Sequence, residues 1–301
     1  MNRNIKKRLI ILLLSLVLLA TVGVSGISIY VGWSLTHPER EVITMPAMAQ
    51  GLEIEDVSFR SREGDIELKG WFLPSEGSDR TIVMAHGYKG NRLQTDVPGV
   101  EVAKGLVETG FNVLMFDFRN CGESGGDVTS VGQFEKYDLL GAIDYIKLRG
   151  DTGQIGIIGY SMGASTTVLA AVEAPEVNAV VLDSPFADLT QYLDDNLAVW
   201  SGLPRFPFNK SILMLLPPVL GLNPAEASPV GVIKDVQAEM LFIHGEADSK
   251  IPIENSKLLV ETAGLAKDSL WVVPGADHVK SYETAPQEYM DKVVTFFEDN
   301  L

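Results

Sequence analysis

A single cysteine, Cys121, stands in 301 residues, so no disulfide can close within the chain and no disulfide scaffold is available to it. Histidine is also scarce. The four present (His37, His86, His244, His278) show neither two-His helical spacing nor cysteine partners, and no metal site is expected. Basic residues are outnumbered, 24 against 40 acidic ones, for a formal net charge of −16. Arg3, Lys6, Lys7 and Arg8 crowd the first eight positions, so the chain beyond them is more acidic still. A body of that sign repels phosphate backbones, which excludes nucleic acid as a partner. Gly156 and Gly159 lack the Gly-x-Gly-x-x-Gly spacing of a dinucleotide site, and no cofactor is expected.

Charge is missing altogether from Leu9 to Trp33. As a helix this run would span about 37 Å, enough to cross a hydrocarbon core of ~30 Å with some tilt. Residues 1–8 form a basic tail, and basic tails stay on the cytoplasmic side, so 9–33 reads as a single-pass signal-anchor of the cell membrane with the folded domain after it extracytoplasmic. Tyr30 and Trp33 fall where an interfacial aromatic belt would lie. The alternative is a signal peptide cut at the small-x-small site Gly23-Val24-Ser25, releasing a secreted form. Both readings export the remainder.

The whole chain is 46% hydrophobic and 21% charged, a composition that suits a folded globular protein and argues against disorder. Residues 34–50, with Pro38 and Pro46, read as a stalk, and 51–301 as one folded domain. Val57–Arg60 and Ile66–Leu73 predict an opening hairpin about Glu63-Gly64-Asp65. Short apolar runs at 81–85, 112–116, 155–158, 179–182, 240–243 and 269–273 then alternate with helical patterns, which predicts a mostly parallel sheet with helices on both faces. Residues 187–230 interrupt the alternation with Pro204, Pro207, Pro217, Pro218 and an apolar run from Ile212 to Leu216. So long an interruption is expected to be a lid. Its apolar residues either pack it onto the core, or line an acyl pocket or touch the membrane.

The pattern Gly-x-Ser-x-Gly occurs twice, at 122–126 and at 159–163. A nucleophile elbow needs a strand entering and a helix leaving. Ser161 has both: Ile155-Gly156-Ile157-Ile158 before it and Ala164–Ala171 after it. Ser124 follows Arg119-Asn120-Cys121 and precedes Gly125-Gly126-Asp127, which cannot easily start a helix. Ser161 is therefore the candidate nucleophile. A serine needs a base, and His278 lies in a loop just after the last predicted strand; His86 and His244 read as strand-end histidines in the hydrogen-bond network. The base needs a carboxylate to hold its tautomer. Asp248 follows the strand at 240–243, with Asp183 and Asp277 as rival acids. An oxyanion site is expected from the backbone N–H groups of Met162, opening the helix, and Tyr88, in the glycine-rich loop His86–Asn91.

Taken in order, the His-Gly loop at 86–87, Asp117-Phe118-Arg119 with Gly122-Glu123-Ser124, the elbow at 159–163, His244–Asp248 and Gly275–His278 resemble the α/β-hydrolase superfamily over roughly residues 51–301. The chain is similar to membrane-anchored bacterial hydrolases of the serine aminopeptidase and prolyl-oligopeptidase-like groups. That resemblance implies the fold and a Ser161–His278–Asp248 triad; it does not choose among peptide and small-molecule acyl substrates. The expected activity is cleavage of an ester, thioester or amide through an acyl-enzyme. An acyltransferase would use the same residues, and a non-catalytic binding module would show the loss of one of them.

Overall fold

The structure is a computed structural model that describes residues 3–44, 51–95, 97–150 and 153–301. Residues 45–50, the second part of the expected stalk, lie outside the described residues.

The chain opens with a 34-residue helix, α1 (Arg3–Thr36). It takes in most of the basic tail and runs past the expected boundary at residue 33, ending where Pro38 restricts His37 away from helical angles. Its apolar side chains from Leu9 to Val22 are exposed all round, whereas Ser28, Gly32 and Thr36 are buried.

Eight strands form one sheet: β1 (Glu55–Arg60), β2 (Glu67–Leu73), β3 (Arg80–Ala85), β4 (Asn112–Phe116), β5 (Gln154–Tyr160), β6 (Val177–Asp183), β7 (Glu239–Gly245) and β8 (Leu270–Val273). Their order is β1-β2-β4-β3-β5-β6-β7-β8. The β1–β2 and β2–β4 pairs are antiparallel and every later pair is parallel. Successive strand residues point to opposite faces, and the apolar runs fill both. Val83, Leu114, Ile157, Val180 and Phe242 pack on one side beneath α3 (Glu135–Arg149), α4 (Met162–Ala171) and α8 (Glu254–Ala263). Ile82, Val113, Ile158, Val181 and Ile243 pack on the other against α2 (Gly99–Glu108) and α10 (Pro286–Asn300). This doubly covered sheet is why the strands read as continuous apolar runs rather than alternating ones.

The interruption between β6 and β7 is helical. It carries α5 (Leu189–Ser201), α6 (Arg205–Leu220) and the single turn α7 (Pro229–Val232), while α9 (Ser281–Thr284) is another single turn before α10. The Asp188 carboxylate caps α5 by accepting from Gln191 N–H at 2.8 Å, and Gly202 closes it in a left-handed conformation. Pro217 and Pro218, which read from sequence as breakers, lie inside the last turn of α6. There they remove two N–H groups from exposed positions of a helix about to end.

Residues 37–44 run along the domain. Thr129 N–H donates to Thr36 C=O at 2.8 Å, and the Arg40 guanidinium donates to the carbonyls of Ser124 and Gly126.

Candidate active site

Parallel strands deliver their C-terminal ends to one edge of a sheet, and three of those ends build the site. At the end of β5, Ser161 adopts φ 53°, ψ −115°. That left-handed backbone is costly for a residue with a Cβ. The turn is held by Ser161 N–H donating to Asp183 C=O at 2.8 Å and by the start of α4. The flanking glycines are required by close approach: a Cβ on Gly163 would lie 2.1 Å from Ala85 C=O, and one on Gly159 2.6 Å from Gly163 C=O.

His278 arrives from the loop after β8. Its Nε2 lies 2.9 Å from Ser161 Oγ and its Nδ1 lies 2.7 Å from Asp248 Oδ2. Asp248, from the loop after β7, accepts from Lys250 and Ile251 N–H through its other oxygen at 2.9 and 2.8 Å. With the carboxylate on Nδ1, the consistent tautomer carries its hydrogen there and leaves Nε2 free to accept from the serine hydroxyl. Burial works to raise the Asp248 carboxyl. Hydrogen bonds from His244 and His278 and the Ile251 N–H outweigh it and hold the group well below the usual carboxylate range.

The rival residues are occupied elsewhere. Asp183 is fully buried, its carboxylate accepting from Ser184 Oγ and Tyr289 OH at 2.9 and 3.2 Å, and burial pushes it up to about 6. Asp277 accepts from Ser249 and His278 N–H at 2.8 and 2.7 Å, tying the loops after β7 and β8 together. His86 donates to Gly87 C=O and accepts from Phe118 N–H; burial lowers its affinity for a second proton. His37 stacks on Trp33 beside the end of α1. Ser124 donates to Asp117 C=O at 2.6 Å and accepts from Lys69 N–H at 2.9 Å.

His244 does more than its sequence context suggested. Its Nε2 lies 2.9 Å from Ile251 C=O and 3.3 Å from Asp248 Oδ2, and its Nδ1 faces Ser256 Oγ at 2.7 Å. It braces the same carboxylate oxygen that His278 meets. A His-Gly pair after a strand carries no local signal of that contact.

Met162 opens α4, so its N–H has no intrahelical partner. Across from it the loop His86–Gly90 turns tightly, Gly90 N–H donating to Gly87 C=O at 3.1 Å, and a Cβ on Gly87 would sit 3.6 Å from Ser161 Cβ. The loop carrying Tyr88 thus lies against the serine.

Two cavities meet at Ser161, both also touched by Tyr88 and Trp200. The larger, about 100 Å³, includes Met162, Phe186, Tyr192 and Leu197, and no charged side chain lines it among the described residues. The smaller, about 40 Å³, holds His278, Lys250 and Gln94. Gln94 is buried, and its amide nitrogen has no hydrogen-bond partner among the described residues. Among the described residues no cluster of three or more His, Cys, Asp or Glu could hold a metal ion.

A strand-turn-helix serine, with a histidine and an acid from later strand ends of a mostly parallel sheet, places the molecule in the hydrolase class of α/β architectures. The comparisons with known proteins agree. A family model described as alpha/beta hydrolase fold matches residues 80–210. The uncharacterized protein YqkD of Bacillus subtilis is 31% identical over 238 residues, 78% of this chain and 76% of that protein. The lysophosphatidylserine lipase ABHD12 of Gallus gallus is 27% identical over 205 residues, 65% of this chain and 51% of that protein. Among solved structures, the Pyrococcus furiosus esterase PF2001 superposes with a TM-score of 0.73 at 27% identity, covering 88% of this chain and 98% of that one. The chain belongs to the α/β-hydrolase superfamily, and its esterase-like relatives support hydrolase activity.

Proposed function

We propose that the chain is a serine hydrolase that cleaves a carboxylic ester through an acyl-enzyme on Ser161. The relay Ser161 Oγ–His278 Nε2 at 2.9 Å and His278 Nδ1–Asp248 at 2.7 Å carries this reading. In the first half, Ser161 Oγ attacks the acyl carbon while its proton passes to His278 Nε2. The oxyanion that forms is met by the N–H groups of Met162 and Tyr88. As the tetrahedral centre collapses, His278 gives the proton to the leaving oxygen and the acyl–oxygen bond breaks. In the second half, His278 takes a proton from water, the hydroxide adds to the acyl carbon, and the proton returns to Ser161 as the acid leaves. Asp248 stays ionised throughout, orienting the ring and stabilising the imidazolium.

The two cavities divide the substrate. Burying a methylene is worth about 0.8 kcal/mol, while an amide left without a partner costs on the order of 2–7 kcal/mol, so the uncharged larger cavity suits an acyl chain better than a peptide. The leaving alcohol then faces Gln94 and Lys250. The esterase and lipase among the relatives point the same way. We assign α1 as the membrane segment, with residues 51–301 as the outward-facing catalytic domain and 187–230 as its lid. A fluorophosphonate is expected to label wild type and not Ser161→Ala; labelling that survives the substitution overturns the assignment.

A further inference from the structure

The larger cavity is not made by the catalytic domain alone. Gly32, Leu35 and Thr36, from the last turns of α1, form part of its wall opposite the lid residues Leu197, Trp200 and Ile212. From it the seam between α1 and α6 continues past Ser28, Ile29, Leu215 and Val219, closed in this structure to anything the size of a water molecule. The two share Gly32, Ile212 and Leu216.

The seam is closely fitted. Ser28, Gly32 and Thr36 recur every fourth residue and so lie on one face of α1. Gly32 lets α6 approach, since a Cβ there would already be 3.2 Å from Leu216 Cδ2. The end of α1 is also tied to the candidate oxyanion loop, for the Tyr88 hydroxyl donates to Leu35 C=O, one of the carbonyls a helix end leaves without an internal partner. Gly32 lies against Ile212 and Leu216, and the seam continues past Ser28 and Ile29 on α1 together with Leu215 and Val219 on α6, so α6 runs antiparallel to α1. The C-terminal turn of α6, with Val219 exposed, therefore points toward the apolar stretch 9–22, which no part of the domain covers.

We infer that α1 is a wall of the acyl site as well as a tether, and that a long acyl chain fills the cavity at Ser161 and parts the α1–α6 seam as it extends toward the bilayer. The substrate class is a long-chain acyl ester resident in the membrane, and Leu35 and Gly32 help set which chains fit. This rests on the serine-hydrolase reading of Ser161. Cleavage at Gly23-Val24-Ser25 would leave the wall in place, because the residues involved all follow that site.

Two measurements on the full-length protein in lipid vesicles test it. The first uses p-nitrophenyl esters of two to sixteen carbons. Each methylene that enters an apolar site is worth about fourfold in affinity, so Leu35→Trp is expected to lower the ratio of kcat/KM for a dodecanoyl over an acetyl ester at least tenfold. An unchanged ratio overturns the inference. The second uses a hexadecyl fluorophosphonate with a diazirine on its terminal carbon. After reaction at Ser161 and irradiation, mass spectrometry should find the crosslink within residues 28–36 or 212–220. Crosslinks confined to residues 94–97 or 250 would place the chain in the smaller cavity and overturn the inference while leaving the serine-hydrolase reading intact. Absence of any Ser161 adduct would overturn both.

Discussion

The same five-residue pattern occurs at 122–126 and 159–163, and the fold uses the two serines in opposite ways. Ser161 sits at φ 53° with its hydroxyl toward His278, and its flanking glycines are needed because neighbouring backbone comes within 2.1–2.6 Å of where a Cβ would be. Ser124 is fully buried with both hydrogen-bonding directions taken by backbone, and Gly122 is needed for its own positive φ of 45° and for the Asp117 carboxylate packed against it. A hydroxyl that already donates to a fixed carbonyl and accepts from a fixed amide has nothing left to offer a substrate. The pattern thus marks two tight turns, and only the strand-to-helix turn leaves a serine exposed to a base.

The largest effect that could break this contrast is at Ser161 itself. Ser161→Ala should lower ester turnover on the order of 10⁶-fold, as loss of a triad serine does elsewhere, with an unchanged fold by circular dichroism. Asp248→Asn should cost about 10⁴-fold by favouring the wrong His278 tautomer, while Asp183→Asn leaves most turnover in place; the reverse order in steady-state kinetics would transfer the acid's role to Asp183. Gly163→Ala should destabilise by several kcal/mol in urea melts, because backbone, not a flexible side chain, occupies the space. Ser124→Ala should keep fluorophosphonate labelling but lower the melting temperature by a few degrees, from about 1–3 kcal/mol of lost buried hydrogen bonding. Labelling lost in that variant with the fold intact would show that the two turns are not separable.

A further expected effect concerns pH. Asp183, pushed up to about 6 by burial, keeps its proton in the folded chain where the unfolded chain has already lost it. The folded state then binds more protons between about pH 4 and 6, so stability falls as pH rises through that window, by at most about 3 kcal/mol. Melts from pH 4 to 7 should show this slope in wild type and a flatter one in Asp183→Asn.

Much of this was legible in the sequence, because parallel strands buried on both faces leave unbroken apolar runs and the elbow needs defined flanks. Ser161, His278 and Asp248 were expected from those flanks and their order, and they lie within hydrogen-bonding distance of one another. What stayed hidden depended on how the chain turns and packs in space. His244 supports Asp248 across a loop, and no local pattern announces it. The buried stripe Ser28–Gly32–Thr36 lies in a run with no polar face to contrast with, so periodicity could not show that α1 has a packed side. The lid's prolines looked like interruptions because proline usually ends a helix, yet Pro217 and Pro218 are carried within the last turn of α6.

The clasp of Arg40 on the carbonyls of Ser124 and Gly126 has a mechanical consequence. A membrane protein with a loose stalk can swing its active site through a volume set by stalk length. Here the segment leaving α1 is pinned to the domain within four residues of the helix end, so there is little slack to swing on. If α1 spans a bilayer as proposed, the domain, about 18 Å in radius of gyration, stands at a nearly constant height above it, and its reach is limited to the surface it stands on.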